Sequence, residues 1–105
     1  MVNYVKSKAE FDNLLASNAK VLVDFTASWC GPCQYIAPIY ETLSQAHSSI
    51  KFVKVDVDEA TEVAESQGVT GMPTFVAFHD GVRVKDLVGA SEAGLKELVG
   101  HLEGL

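Results

Sequence analysis

A chain of 105 residues is long enough to close one hydrophobic core and too short for two, so a single domain spanning residues 1–105 is expected. With 48% hydrophobic and 21% charged residues, it is neither the highly charged, apolar-poor kind that stays disordered nor a membrane protein, and no apolar run approaches the ~18 residues of a span. Fourteen acidic residues against eight basic ones give a net charge of −6, and the cations are scattered rather than gathered into a stripe, which argues against nucleic acid as a partner.

In chain order, Met1-Val2-Asn3-Tyr4-Val5-Lys6 has neither the basic start nor the apolar stretch of a secretory signal, so an intracellular setting is expected. Ser7-Lys8-Ala9-Glu10 reads as a capping box, and Phe11, Leu14 and Leu15 follow it at helical spacing. Val21-Leu22-Val23-Asp24-Phe25 is a nearly continuous apolar run, the pattern of a central strand covered on both faces, with Asp24 as its anomaly. Cys33, Ile36, Ala37, Tyr40 and Leu43 recur at three- and four-residue steps, which predicts a second helix starting near Cys30 and kinked at Pro38.

Phe52 to Val57 alternates as a strand does, and Val63, Ala64 and Gln67 fit a short helix that Gly68 can end. After Pro73, the runs Thr74–Phe78 and Val82–Lys85 flank Asp80-Gly81, a dipeptide suited to a tight hairpin. Ser91 can cap a last helix with Leu95, Leu98, Val99 and Leu102 along one stripe, although Gly94 and Gly100 lower its propensity. The order βαβαβαββα predicts one mixed sheet of about five strands flanked by four helices, an α/β fold.

Only two cysteines are present, Cys30 and Cys33, which excludes the multi-bridge framework of a small secreted scaffold and leaves redox chemistry or metal binding. Residues i and i+3 in a first helical turn bring their Cβ atoms within about 5–6 Å, close enough for a reversible disulfide. Pro32 suits that turn because its missing N–H would have no partner there. Cys30 then lies at the helix N-terminus, where free amides and the dipole favour a thiolate, which marks it as nucleophile and Cys33 as resolving thiol. The competing reading is half of a zinc site. That needs four ligands, and His47, His79 and His101 stand singly, outside zinc spacing, so surface histidines and no metal are expected.

Trp29-Cys30-Gly31-Pro32-Cys33 resembles the signature of the thioredoxin family without a mismatch. The resemblance extends over essentially the whole chain, through Asp24, Pro38, Lys54, Met72-Pro73-Thr74, Gly81, Gly89 and the order of elements. It implies the thioredoxin fold and a protein-disulfide reductase with no bound cofactor. The NADPH and flavin belong to a partner, thioredoxin reductase. Implied clients are peroxiredoxins, methionine sulfoxide reductases and ribonucleotide reductase, with a monomer in the cytoplasm, or the nucleus or an organelle, as the setting.

Asp24 is six residues before Cys30 in an apolar strand, so desolvation should raise its proton affinity and suit it to proton exchange. A solvated strand end is the plain alternative, since buried acids are rare. The resemblance assigns Asp24 to accepting the Cys33 proton, and Lys54 on the next strand is expected to pair with it. It further implies tuning of the cysteines by Gly31 and Pro32 and a cis Met72-Pro73 bond, where X–Pro base rates alone say trans. Trp29, Gly31, Pro32, Met72, Pro73, Gly89 and Ala90 would form a flat docking patch that recognises an extended client by strand addition.

Two positions depart from the family pattern. Thr26 stands where an aromatic is usual, and Gln34 where Lys or Arg is usual; both changes can move the redox potential. Two other functions compete with the reductase. A disulfide oxidase or isomerase of the same fold typically carries histidine between its cysteines, unlike Gly31-Pro32, and a non-catalytic binding module would not need Cys30, Cys33 and Asp24.

Overall fold

The computed structural model describes all 105 residues, Met1–Leu105. The elements are β1 (Asn3–Tyr4), α1 (Lys8–Ser17), β2 (Lys20–Thr26), α2 (Gly31–Ala46), β3 (Lys51–Asp56), α3 (Thr61–Ser66), β4 (Thr74–His79), β5 (Val82–Val88) and α4 (Glu92–Glu103). This is the order expected from the sequence. The five strands form one sheet ordered β1-β3-β2-β4-β5. β2 pairs parallel with β3 and antiparallel with β4, while β1 is parallel to β3 and β5 antiparallel to β4.

β2 is the middle strand, and Val21 to Thr26 are all buried. Because side chains alternate across a strand, Val21, Val23 and Phe25 join Phe11 of α1 and Val63 of α3 in one apolar cluster. Leu22 faces the other way, into a cluster with Ile36 and Tyr40 of α2 and Leu95, Leu98 and Leu102 of α4. The same alternation sends Asp24 and Thr26 toward α2.

Both serine caps form: Ser7 Oγ accepts from the Glu10 amide at 3.1 Å and Ser91 Oγ from the Gly94 amide at 3.0 Å, each worth about 1 kcal/mol. The capping box is shifted by one residue, since the Glu10 carboxylate accepts from the Lys6 amide at 3.0 Å. Pro38 lies inside α2, which continues to Ala46; its ring withholds the amide that the Gln34 carbonyl would otherwise receive. Gly94 has a packing reason, because a Cβ there would lie 3.2 Å from the Leu87 side chain. The small residue lets the first turn of α4 approach β5.

At the hairpin, Asp80 and Gly81 both have positive φ, 52° and 80°, and His79 pairs with Val82 across them. That is the two-residue turn whose twist matches its strands. β5 is the sheet's exposed edge, and a register shift between Ala77 and Phe78 leaves Val84 as an extra residue.

Gly81→Ala is expected to lower unfolding free energy by about 1–2 kcal/mol, the cost of a left-handed L-residue. Gly100→Ala, in open space on α4, is expected to raise it by about 0.5–1 kcal/mol. Urea titration reads both, and shifts of the same sign would contradict the assignment.

Candidate active site

The strand-to-helix junction after β2 sets the site. The Cys30 amide donates to the Ala27 carbonyl at 3.2 Å, closing a tight turn, and Cys30 is the N-cap of α2. Its Sγ accepts from the Cys33 amide at 3.2 Å. A sulfur aimed at by a helix N-terminal amide is better stabilised as thiolate than as thiol. Cys30 and Cys33 form a disulfide with Cα atoms 5.3 Å apart. Both are buried, with Cys30 the more accessible at 6% against 2%, and both pack with Ala27, Val57 and Met72. Gly31 and Pro32 between them are exposed. No group of three or more histidine, cysteine or acidic side chains comes together in metal-binding geometry.

Asp24 is 1% exposed, and neither carboxylate oxygen has a hydrogen-bond partner within the protein. Burial pushes its pKa up from 3.8 to about 7, with the positive charge of Lys54 opposing the rise. The solvated-strand-end alternative is thereby excluded.

Lys54 is the register partner of Asp24 on β3, but the direct pair expected from sequence does not form. The Lys54 ammonium lies 5.4 Å from the centroid of the Tyr4 ring. Its flexible stem carries the charge past the dry interior to a wetter position against an aromatic face. There it borders a cavity of about 300 Å³ that is also lined by Thr26, Ser28, Cys33, Gln34 and Asp56. Thr26, small where an aromatic is usual in the family, thus leaves open space beneath the cysteine loop.

The Met72-Pro73 bond is cis. Met72 is half-buried against the cysteines, and its backbone N–H and C=O have no partner among the protein's hydrogen bonds. The Pro73 carbonyl instead accepts from the Gly89 amide at 2.8 Å, with Gly89 at φ 106°. This bond brings the half-buried Gly89 and Ala90 beside the proline. Trp29 is 67% exposed, and its indole N–H donates to Asp58 Oδ2 at 2.8 Å. Of the expected patch, Trp29, Gly31 and Pro32 are exposed, Met72, Gly89 and Ala90 are half-buried, and Pro73 is buried beneath them in the chain's cis turn.

Sequence reasoning missed several residues that stand out in the structure. Asp58 holds the Trp29 indole, and Asp56 Oδ1 shapes the turn before it by accepting from the Asp58 and Glu59 amides at 2.9 and 3.3 Å. Val88 is 66% and Tyr35 61% exposed. The Asp-rich run at 56–59 was the only available signal for the first pair. Nothing in one sequence links positions 29 and 58.

The sequence matches the thioredoxin family over residues 2–101. It is 48% identical over 99 residues to thioredoxin 1 of Plasmodium falciparum, covering 94% of this chain and 95% of the relative. The fold superimposes on mitochondrial thioredoxin 3 of Saccharomyces cerevisiae in its oxidized form, with a TM-score of 0.93 at 39% identity and coverage of 96% and 95%. It matches equally well, with a TM-score of 0.93 at 38% identity and the same coverage, a chain from a structure on the thiol-resolving mechanism of a yeast mitochondrial 1-Cys peroxiredoxin via glutathione/thioredoxin systems.

The burial of Asp24 has a measurable consequence for stability. Its folded pKa of about 7 lies above the unfolded 3.8, so between these values the native state keeps a proton that the unfolded chain releases. The stability contributed by this group is full below about pH 4 and is lost as pH rises through 7. Asp24→Asn should therefore gain on the native protein with pH, by about 4 kcal/mol at pH 8 relative to pH 4 for a shift of about three units. Denaturant titrations across that range test this, and a pH-independent difference would show that the carboxylate titrates normally.

Proposed function

This chain belongs to the thioredoxin family, and from that premise we propose its mechanism and partners. It is a dithiol–disulfide reductase, a thiol–disulfide oxidoreductase with no bound cofactor, whose active group is the Cys30–Cys33 pair. The observation that carries the mechanism is the position of Cys30, which caps α2 and receives the Cys33 amide. In the reduced protein the Cys30 thiolate attacks one sulfur of a client disulfide. The client S–S bond breaks, its other sulfur leaves as a thiolate, and Cys30 is joined to the client in a mixed disulfide.

Cys33 completes the exchange. Its thiol transfers a proton to Asp24 and attacks Cys30 Sγ, so that the client's second sulfur is released and the Cys30–Cys33 disulfide forms. The client gains two electrons and this chain loses them. An acid with a pKa of about 7 is suited to that transfer, being close to half ionised at neutral pH. The positive charge of Lys54 opposes the rise in the Asp24 pKa and so favours its ionised, proton-accepting form. Gly31 and Pro32 tune the pair by shaping the first helical turn.

Thioredoxins act with thioredoxin reductase and disulfide-bearing clients. For this chain we assign the two electrons to an NADPH-dependent thioredoxin reductase, the NADPH and flavin being that partner's. Clients dock as an extended strand on the free Met72 backbone, flanked by Trp29, Pro73, Gly89 and Ala90. Peroxiredoxins are the first class to test, in keeping with the peroxiredoxin named for a structural neighbour; methionine sulfoxide reductases and ribonucleotide reductase follow. No helix is long and apolar enough to cross a membrane. The cytoplasm, whose thiol pool is reducing, is the compartment proposed.

NADPH oxidation followed with a thioredoxin reductase and a disulfide-bonded protein substrate should proceed with the native chain and stop with Cys30→Ser. Cys33→Ser should accumulate covalent client adducts, and Asp24→Asn should form the mixed disulfide normally but resolve it more slowly near pH 7, on the order of 100-fold. Adduct-free Cys33→Ser would remove Cys30 as the nucleophile, and unchanged resolution would remove Asp24 as the base.

A further inference from the structure

The charges around the cysteines are lopsided. Most of the eight cations are engaged or lie elsewhere. Lys8, Arg83 and Lys96 are ion-paired with Asp12, Asp86 and Glu92. Lys20 donates to the Glu103 carbonyl and, like Lys51, starts its strand, at the end away from the cysteines. Lys6 lies near Glu59 and Glu62, and Lys85 is in the middle of β5. Lys54 alone borders the cysteines, half-buried over Tyr4 and opposed by Asp56 in the same cavity. α2 itself, which carries the pair, contains no lysine or arginine and one acid, Glu41.

What surrounds the cysteines in chain and space is apolar, aromatic and acidic. Trp29, directly before the pair, is 67% exposed, and Tyr35, two residues after it on α2, is 61% exposed. The Asp58 carboxylate is held at the rim by the Trp29 indole, with Glu59 exposed beside it. Carboxylates attract a cation at range, and open aromatic faces hold one at contact. Gln34, directly after Cys33 and exposed, adds no positive charge to repel it.

We propose that the face around Cys30 is a docking surface selective for client segments that carry lysine or arginine beside the disulfide. The selection rests on the reading of Cys30 as the attacking sulfur and adds to it the class of client. It acts on encounter, so its signature is a rate that depends on ionic strength.

The test uses short peptides, each closed by one disulfide and identical except for lysine, glutamine or glutamate next to the cysteines. Their reduction by the pre-reduced full chain is followed in stopped flow. The lysine peptide should react about fivefold faster than the glutamate peptide in about 20 mM salt, with glutamine between them, and the ratio should fall below about twofold in about 500 mM salt. Gln34→Lys should shrink the low-salt ratio toward one; because the readout is a ratio between peptides, any change it makes in the potential of the cysteine pair acts on all three alike. Equal rates for all three peptides, or a faster glutamate peptide, would overturn the charge selection while leaving the reductase mechanism standing. If none of the three were reduced, the assignment of Cys30 would fail and the selection with it.

Discussion

Tyr40 ties α2 to the sheet at the two strands that matter most. Its ring lies between Phe52 and Phe75 with centroids 5.2 and 5.6 Å away, and its hydroxyl is within hydrogen-bond reach of the Leu22 and Val53 carbonyls, at 2.9 and 2.8 Å. One hydroxyl proton serves one carbonyl at a time, so the phenol bridges β2 and β3 by sharing it. This anchor, two turns into the helix, decides where the helix begins. The first turn then has to rise directly from the end of β2, which puts the Cys30 sulfur on the end amides and Cys33 above the strand.

The same packing explains why Asp24 is so unlike an ordinary carboxylate. Leu22, Asp24 and Thr26 share the strand face that α2 covers, so the acid inherits the dryness of its apolar neighbours. A buried carboxylate without a hydrogen-bond partner is costly. It persists because the stability of the two surrounding cores can absorb the loss, and because an acid titrating near neutrality is useful where a thiol must lose its proton. Fold stability and exchange chemistry pull in opposite directions at this one side chain, a common trade at functional sites.

Much of this architecture could be read in the chain because local and global signals agree. Ser7 and Ser91 announce helix starts that do form, Asp80-Gly81 announces a turn that needs two positive φ values, and the alternation in Phe52–Val57 matches a strand with Val53 and Val55 buried on one face and Lys54 and Asp56 half-buried on the other. The cysteine motif was legible for the same reason, since spacing and helix start coincide. What escaped was what the third dimension alone brings together. The Trp29 indole meets a carboxylate 29 residues away, and Gly94 looked like a weakness until Leu87 proved to occupy the space of its missing Cβ. Lys54 was matched to Asp24 by register, correctly as a neighbour, but a long flexible side chain can satisfy its charge elsewhere, and strand pairing does not say where its end will lie.

The edge strand β5 completes the picture from the other side of the sheet. It exposes Val82, Val84 and Val88 beside a line of backbone groups that a neighbouring molecule could extend into a continuous intermolecular sheet. The register shift at Ala77 and Phe78 and the interspersed Arg83, Lys85 and Asp86 work against such edge-to-edge growth, because a bulged, charged strand is a poor template for aggregation. A protein whose task is to grip partly extended polypeptides needs that protection more than most. On the docking mode proposed above, strand pairing would be left to the short stretch at Met72, a hold brief enough for sulfur chemistry, while the long edge stays blunted.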